Sequence, residues 1–176
     1  MKNTSKKIAL CGVLAALAIV FGYVEHLIPF NFGIYGLKLG LSNLVTVTAL
    51  YLLGTKTSIA VNFLRIVVSS LLFGSAVSLA YSLCGGMLSL AVMIFLKKID
   101  RNKKISAVGV SLCGGVTHNI GQLAVAIILV DNLKIAFYLP VLIAAGAITG
   151  FAIGSIAVLL VNNQAIKKYF DKETDK

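Results

Sequence analysis

Residues 137–162 read FYLPVLIAAGAITGFAIGSIAVLLVN, and this run contains no charged side chain. A helix that crosses a lipid bilayer needs about 20 predominantly apolar residues, so the run is long enough to form one. The second and third of the runs that precede it are short, so we expect them to extend into flanking loops or to sit in locally thinned bilayer. These preceding runs lie near 8–28, 38–54, 57–73, 75–96 and 106–130. We therefore predict an all-α integral membrane protein, a single domain over residues 1–176 built as a six-transmembrane-helix bundle.

The overall composition favours the same class of protein. Hydrophobic residues make up 59% of the chain and charged residues 12%, whereas an ordinary soluble domain has about 25% charged residues. The connections between the runs are too brief to hold a soluble catalytic domain. Three cysteines fall inside the runs without the paired spacing of a metal site, so we interpret them as packing residues and expect no metal. They are Cys11, Cys84 and Cys113.

Basic residues fall mainly on one side of this six-helix arrangement. They cluster before the first run, at Lys56, in the segment 97–104 and after the last run. Because loops rich in lysine and arginine stay in the cytoplasm, both chain termini are predicted to be cytoplasmic. Topology thereby accounts for the net charge of +10, and no nucleic-acid partner is needed to explain it.

Arg65 lies near the middle of the third run, with Asn62 three residues before it on roughly the same helix face. Ionisable side chains at membrane depth are costly, so a functional role is the default hypothesis for them. Glu25 and Asp131 are the only carboxylates outside the predicted cytoplasmic segments. Three partners for Arg65 remain open at this point: Glu25, backbone carbonyls with water, or an anionic substrate.

A second polar group lies halfway along the fifth run. His118 and Gln122 are four residues apart and face the same way on a helix, while Asn119 is rotated from them by about a quarter turn. A lone buried histidine is usually structural, but this density of hydrogen-bonding side chains favours a polar lining. We predict a substrate cavity open to the outer face, lined by Lys38, Asn43, Arg65, His118, Asn119 and Gln122.

Lys38 is expected in the first turn of the second helix, after the loop that follows Pro29. A cation is unfavourable there because the helix N-terminus already carries partial positive charge. Glu25 or a bound anion could neutralise it. The alternative is an interfacial lysine that reaches the lipid headgroups.

Small residues spaced four apart occur in the first and last runs. Such spacing lets membrane helices approach closely. Gly12 and Ala16 could face either another helix of the bundle or another subunit. For Gly146, Gly150 and Gly154, packing within the bundle is the favoured interpretation.

Several stretches together resemble the Gx transporter family, many of whose members are labelled heptaprenyl diphosphate synthase component I. The resemblance covers residues from about 8 to 162, and its most specific stretches are Lys-Leu-Gly-Leu-Ser-Asn and His-Asn-Ile-Gly-Gln. The matching stretches begin at Pro29 and continue through Gly-Ile-Tyr-Gly-Leu-Lys-Leu-Gly-Leu-Ser-Asn to Asn-Phe-Leu-Arg65, Gly85-Gly86-Met-Leu-Ser89, Ser106 to Ser111, and His118 to Gln122.

That family is similar to the substrate-binding S components of energy-coupling factor (ECF) transporters. The resemblance implies a multi-pass protein of a bacterial-type cell membrane that binds a vitamin or similar small molecule near the outer face, roofed by the loop between the first two helices. The positive donors of the predicted cavity favour an anionic molecule. The resemblance also implies docking onto a transmembrane scaffold subunit energised by two ATP-binding-cassette ATPases. S components typically dock through an Ala-x-x-x-Ala pattern, for which this chain has Gly12-x-x-x-Ala16.

The family label also names an enzyme, and the residues allow a test of that activity. Prenyl diphosphate synthases hold magnesium on clustered aspartates, because magnesium requires oxygen ligands. Asp100, Asp131, Asp171 and Asp175 form no paired cluster in the sequence, and no Gly-x-x-x-x-Gly-Lys-Ser/Thr motif is present. We therefore expect a non-catalytic protein without a cofactor of its own. The alternative to transport is a non-catalytic membrane subunit of polyprenyl diphosphate or quinone metabolism.

Overall fold

The computed structural model describes residues 2–27, 40–100 and 105–164, with the side chains of residues 2–7 and 26 left out. All regular secondary structure in these ranges is helical. Five of the helices are long and apolar enough to cross a membrane, which confirms the prediction of an all-helical, multi-pass membrane protein. The helices are α1 (Lys2–Leu27), α2 (Asn43–Leu52), α3 (Thr55–Phe73), α4 (Ala76–Ile99), α5 (Ala107–Val130) and α6 (Leu139–Asn162), with a 3-10 segment at Leu133–Tyr138 before α6.

The helix ends follow from local sequence. Ser75 and Ser106 cap α4 and α5, because each side-chain oxygen accepts a hydrogen bond from a backbone N–H three residues later, at 3.2 Å and 3.1 Å respectively. Helix α5 ends at Asp131, whose φ of 50° is left-handed. The next turn is closed by Asn132, whose side chain accepts the Lys134 N–H at 3.0 Å.

Helix α2 is the element that differs most from its predicted span, 38–54. It has only 10 residues, and a turn precedes it in which Gly40 has φ of +81°. A helix cannot run through that left-handed position, so α2 begins at Asn43. Lys38, which the sequence places in the first turn of the predicted helix, lies outside the described residues.

Helices α5 and α6 pack backbone against backbone. A Cβ atom added at Gly146 would lie 2.7 Å from the Gly115 carbonyl oxygen, and one added at Gly150 would lie 2.7 Å from the Ser111 carbonyl oxygen. A Cβ at Gly154 would lie 2.8 Å from the Val108 Cα. The glycines of α6 therefore pack within the bundle, as the interpretation of their spacing required.

Helix α1 has one buried and one exposed face. Ala15, Ala18 and Glu25 are buried, with at most 5% of each residue exposed. Gly12 and Ala16 are exposed, and a Cβ added at Gly12 would meet no atom within 4 Å. The sequence leaves two partners open for Gly12, another helix of the bundle and another subunit. In the described part of the bundle, no helix packs against this position.

The C-terminal end of α2 is tied to α4. Lys97 Nζ donates to the Leu50 carbonyl oxygen at 2.6 Å and lies 4.6 Å from the centre of the Tyr51 ring. The last carbonyls of a helix lack partners within it, and a lysine is suited to satisfy one. The end of α2 therefore lies level with the C-terminal turn of α4, while its first residue, Asn43, lies beside Arg65.

Candidate functional site

Arg65 is buried, with 7% of its surface exposed, and its donors are bound by three neutral side-chain oxygens. Nε donates to Asn62 Oδ1 at 3.0 Å, Nη2 donates to Asn43 Oδ1 at 2.9 Å, and Nη1 donates to Ser42 Oγ. Hydrogen bonds to a charged group are the strong ones. Neutral side-chain acceptors were not among the partners considered from sequence, and they hold the guanidinium in place.

Asn62 and Gly86 pack against the Arg65 side chain and hold it in place. Asn62 is fully buried; its Nδ2 donates to the Gly86 carbonyl at 3.1 Å, and its Oδ1 accepts from Thr46 Oγ1 at 3.3 Å. A Cβ at Gly86 would lie 2.8 Å from Ile66 Cδ1 and 3.4 Å from Arg65 Nη2. The absence of a side chain at Gly86 thus makes room for the guanidinium between α3 and α4.

Glu25 brings a carboxylate to the same place from α1. It is buried, with 5% exposed, and accepts a hydrogen bond from the Gly40 backbone N–H. Its charge also interacts electrostatically with Arg65. Glu25 therefore helps to balance Arg65 across a cavity, while the direct acceptors come from Ser42, Asn43 and Asn62.

On α5, the three predicted polar residues take different positions. Gln122 is fully buried, and its amide nitrogen lies within hydrogen-bonding distance of His118 Nε2, at 3.1 Å. Asn119 faces away, and its Nδ2 donates to the Leu142 carbonyl of α6 at 2.8 Å. Thus His118 faces Arg65 across the cavity, Gln122 orients His118, and Asn119 joins α5 to α6.

These residues surround a small polar cavity, here called the Arg65 cavity. Its volume is about 20 Å³, enough for about one water molecule, whereas sites for drug-sized ligands measure roughly 300–1,000 Å³. A larger ligand must therefore displace part of the wall. The wall is formed by Gly22, Glu25, Gly40, Ser42, Arg65, Ile66, Ser69, Ser82 and His118.

Sequence reasoning missed the serines of this wall. Ser69 follows Arg65 by four residues on α3, so the helical period indicates that the two share a face. Ser42 lies in the Lys-Leu-Gly-Leu-Ser-Asn stretch next to the predicted Asn43, whereas Ser82 carries no comparable signal. Of the predicted site residues, the structure brings Arg65 and His118 to the cavity with Asn43 directly behind, whereas Lys38 lies outside the described residues.

A comparison with protein families now applies to this geometry. The family model described as heptaprenyl diphosphate synthase component I matches residues 14–160. The chain belongs to the heptaprenyl diphosphate synthase component I family. No curated protein and no solved structure is significantly similar to it.

The matched region of the chain contains the whole described wall of the Arg65 cavity. Its described aspartates lie elsewhere: Asp100 follows the end of α4 and accepts the Ile105 N–H at 2.9 Å, and Asp131 ends α5. Glu25 is the cavity's only carboxylate among the described residues. In residues 2–27, 40–100 and 105–164, no group of three or more His, Cys, Asp or Glu side chains is placed to hold a metal ion.

Proposed function

We propose that this member of the component I family is the substrate-binding subunit of an energy-coupling factor type uptake transporter in a bacterial cell membrane. It binds a small polar molecule, vitamin-like or anionic, in the Arg65 cavity. It carries out no chemistry itself and takes its energy from partner subunits. The observation that carries this proposal is a buried arginine, held by neutral oxygens, at the wall of a polar cavity inside an apolar helical bundle.

The state of Arg65 supports ligand binding. Its three hydrogen bonds to described residues use three of the five N–H donors of a guanidinium. The side chain is therefore held in one orientation with donors to spare, and the hydroxyls of Ser42, Ser69 and Ser82 line the same cavity. This combination suits a ligand that presents oxygen acceptors.

Helix α2 supports the same proposal. Ten residues span about 15 Å, which is half of the roughly 30 Å hydrocarbon core. In many transporters, interrupted helices of this kind end at the substrate site, where irregular backbone faces a polar cavity. Here α2 begins at the Arg65 cavity and ends beside Lys97, at the level proposed for the cytoplasmic surface.

The proposed topology has six membrane-crossing segments with both termini cytoplasmic. The contact between α2 and Lys97 brings the ends of α2 and α4 to one level, which agrees with placing Lys56 and the segment 97–104 on the same side. Labelling with a membrane-impermeant thiol reagent tests this in a cysteine-free background. A cysteine at position 33 should react from outside and one at position 102 should not; the opposite pattern would invert the orientation.

The proposed partners are a transmembrane scaffold subunit and two ABC-type ATPases. The exposed small face of α1 supports a docking role, since nothing lies within 4 Å of a Cβ at Gly12. Gly12→Leu or Ala16→Leu should abolish co-purification with the scaffold and leave ligand retention by the isolated subunit intact. Val141→Leu, at an exposed position of α6 away from α1, is the matched control. Complex formation by both leucine variants at the wild-type level would refute the docking role.

A second candidate rests on the family's description, which names a component of heptaprenyl diphosphate synthase. In that case the cavity would belong to a non-catalytic membrane subunit that assists a partner component acting on an isoprenoid or quinone precursor. The chemistry of the bound molecule separates the two candidates, because an isoprenoid is long and apolar whereas the Arg65 cavity is small and polar.

Mass spectrometry of small molecules that co-purify with the detergent-solubilised protein is the direct test. Arg65→Gln should reduce retention of the bound molecule about tenfold to 150-fold, which corresponds to about 1.5–3 kcal/mol for a hydrogen bond to a charged group. Lys56→Gln also replaces a basic side chain by glutamine, but at an exposed position of the same helix. This variant should retain the molecule. Equal retention by the two variants would refute the cavity as the site.

A further inference from the structure

A second cavity lies behind the first, inside the apolar core of the bundle, and is here called the Ser89 chamber. Asn43 stands between the two, since it lines the chamber and accepts a hydrogen bond from Arg65. The chamber has a volume of about 10 Å³, which is close to the smallest volume that holds one water molecule. Its wall consists of Asn43, Val47, Ser89, Met93, Ser111, Gly114, Gly115, Gly150 and Ile153.

Ser89 gives this chamber its chemistry. The residue is 1% exposed, and its Oγ has no hydrogen-bond partner among the described residues. A buried hydroxyl without a partner is unfavourable, and a helix inside a membrane has no bulk water to relieve it. A Cβ at Gly114 would lie 3.2 Å from this oxygen and 2.7 Å from Met93 Sδ, so the absence of a side chain at Gly114 makes room for both side chains.

The other polar members of the wall are also neutral. Ser111 is 3% exposed and Asn43 is 5% exposed, and both line the chamber. Asn43 Oδ1 already accepts from the Arg65 guanidinium, so a cation beside it would meet a like charge. No charged side chain lines the chamber among the described residues, so an anion would find no counter-charge. The wall suits a small neutral molecule that both donates and accepts.

We propose that the Ser89 chamber binds one ordered water molecule, hydrogen-bonded to the side chains of Ser89, Ser111 and Asn43. Buried waters typically make about three such bonds. The water gives Ser89 Oγ its partner and joins α4, α5 and α2. It also fixes the Asn43 amide, whose oxygen binds Arg65, so it acts as a positioning element for the Arg65 cavity. The site stands independently of whether the protein serves a transporter.

The sign of one stability change tests this proposal. In a dry chamber, Ser89→Ala would remove an unsatisfied hydroxyl and leave the melting temperature unchanged or raise it. With the water bound, the same substitution breaks a hydrogen bond and should lower the melting temperature of the purified protein by about 2–4 °C, as expected for a protein of this size. Ser70→Ala is the matched control, because Ser70 Oγ is also buried without a described partner and lines neither cavity.

Ser111→Ala provides a second variant on a different helix. It should lower the melting temperature by a similar amount, and the double variant with Ser89→Ala should lose less than the sum, because both hydroxyls share one water. Ser70→Ala should remain unchanged or melt higher. An unchanged or raised melting temperature for Ser89→Ala would overturn the proposal, and so would strict additivity of the two serine substitutions.

Discussion

Two seams of the bundle are built on opposite principles. Between α5 and α6, glycines bring backbone against backbone, and a Cβ at Gly150 would lie 2.7 Å from one backbone atom and 2.8 Å from another. Between α1 and α3, a Cβ at Gly22 would approach only the side chain of Ser69, at 3.0 Å from its Oγ. At Gly150 the first seam leaves no room for even one added carbon between the two backbones, whereas the second seam borders the Arg65 cavity.

The difference indicates which part of the wall yields when a ligand enters. Backbone cannot turn aside, but a serine side chain can change rotamer. Helix α1 is also the least buried of the five candidate membrane-crossing segments, because 22% of its residues 8–25 are buried, against 33–39% of the residues in the others. We therefore expect α1 to separate from α3 around a ligand while α5 and α6 remain together.

The largest effect is expected at the α5–α6 seam. Gly150→Ala would press a methyl group against the backbone of α5 and should lower the free energy of unfolding by about 3 kcal/mol. That corresponds to a fall of about 6–12 °C in melting temperature, measured by a thermal shift assay. Gly12→Ala is the matched control, with no atom within 4 Å, and should be neutral or slightly stabilising. Similar losses for both would contradict the contrast between the seams.

A disulfide across the α1–α3 seam tests whether α1 moves. The Cβ atoms of the pair Gly22→Cys and Ser69→Cys would lie 3.9 Å apart, within the range for a disulfide. With the three native cysteines replaced by alanine, the oxidised protein should retain the co-purifying molecule at least tenfold less than the reduced one, an effect of about 1.4 kcal/mol. The single variant Ser69→Cys should retain the molecule equally under oxidising and reducing conditions. Equal retention by both redox forms would mean that the site opens elsewhere.

Glu25 and Arg65 provide a smaller test of the same seam. A double-mutant cycle of Glu25→Gln and Arg65→Gln, followed by thermal unfolding, should give a coupling energy of about 1 kcal/mol. Coupling is modest because the direct partners of Arg65 are neutral oxygens. A coupling energy several times larger would show that the two charges hold α1 against α3, and α1 would then not be the part that moves.

The smallest effect concerns the end of α2. Lys97→Met should remove the hydrogen bond to the Leu50 carbonyl and the contact with the Tyr51 ring, lowering stability by about 0.5–1 kcal/mol. Ligand retention should be unchanged, since this contact lies away from the Arg65 cavity. Lys98→Met, at the exposed neighbouring position, should change neither quantity. A loss of retention in Lys97→Met would extend the moving part to α2.

Long helices could be predicted from sequence because apolar length determines them. The fifth run, expected at 106–130, is the helix Ala107–Val130. Helix α2 could not be predicted in this way. The apolar run continues on the N-terminal side of α2, but the left-handed Gly40 prevents the helix from extending in that direction. Ser42 and Asn43, at the start of the helix, turn toward Arg65 instead. Hydropathy does not detect a backbone conformation or a polar side chain that turns toward an arginine.

For the candidate site, the cost of burying charge was informative and residue spacing was only partly so. The cost of burying charge points to Arg65 and His118, which both line the Arg65 cavity. Spacing alone placed Asn119 near His118, but it could not show that a carbonyl of α6 would take the Asn119 amide. Ser82 gives no signal in the sequence, since serine is common in membrane helices and can bond to its own backbone.

The shortness of α2 has a consequence for how the protein is made. A ten-residue helix is too short to cross a bilayer alone, and at its start it carries the buried polar side chains of Ser42 and Asn43, which are costly in lipid without partners. During synthesis it can settle only where neighbouring helices already satisfy its first residues, as Arg65 of α3 does for Ser42 and Asn43. The placement of α2 should therefore be completed after α3 has left the ribosome, so insertion of this chain is expected to depart from simple N-to-C order at the segment that borders the Arg65 cavity.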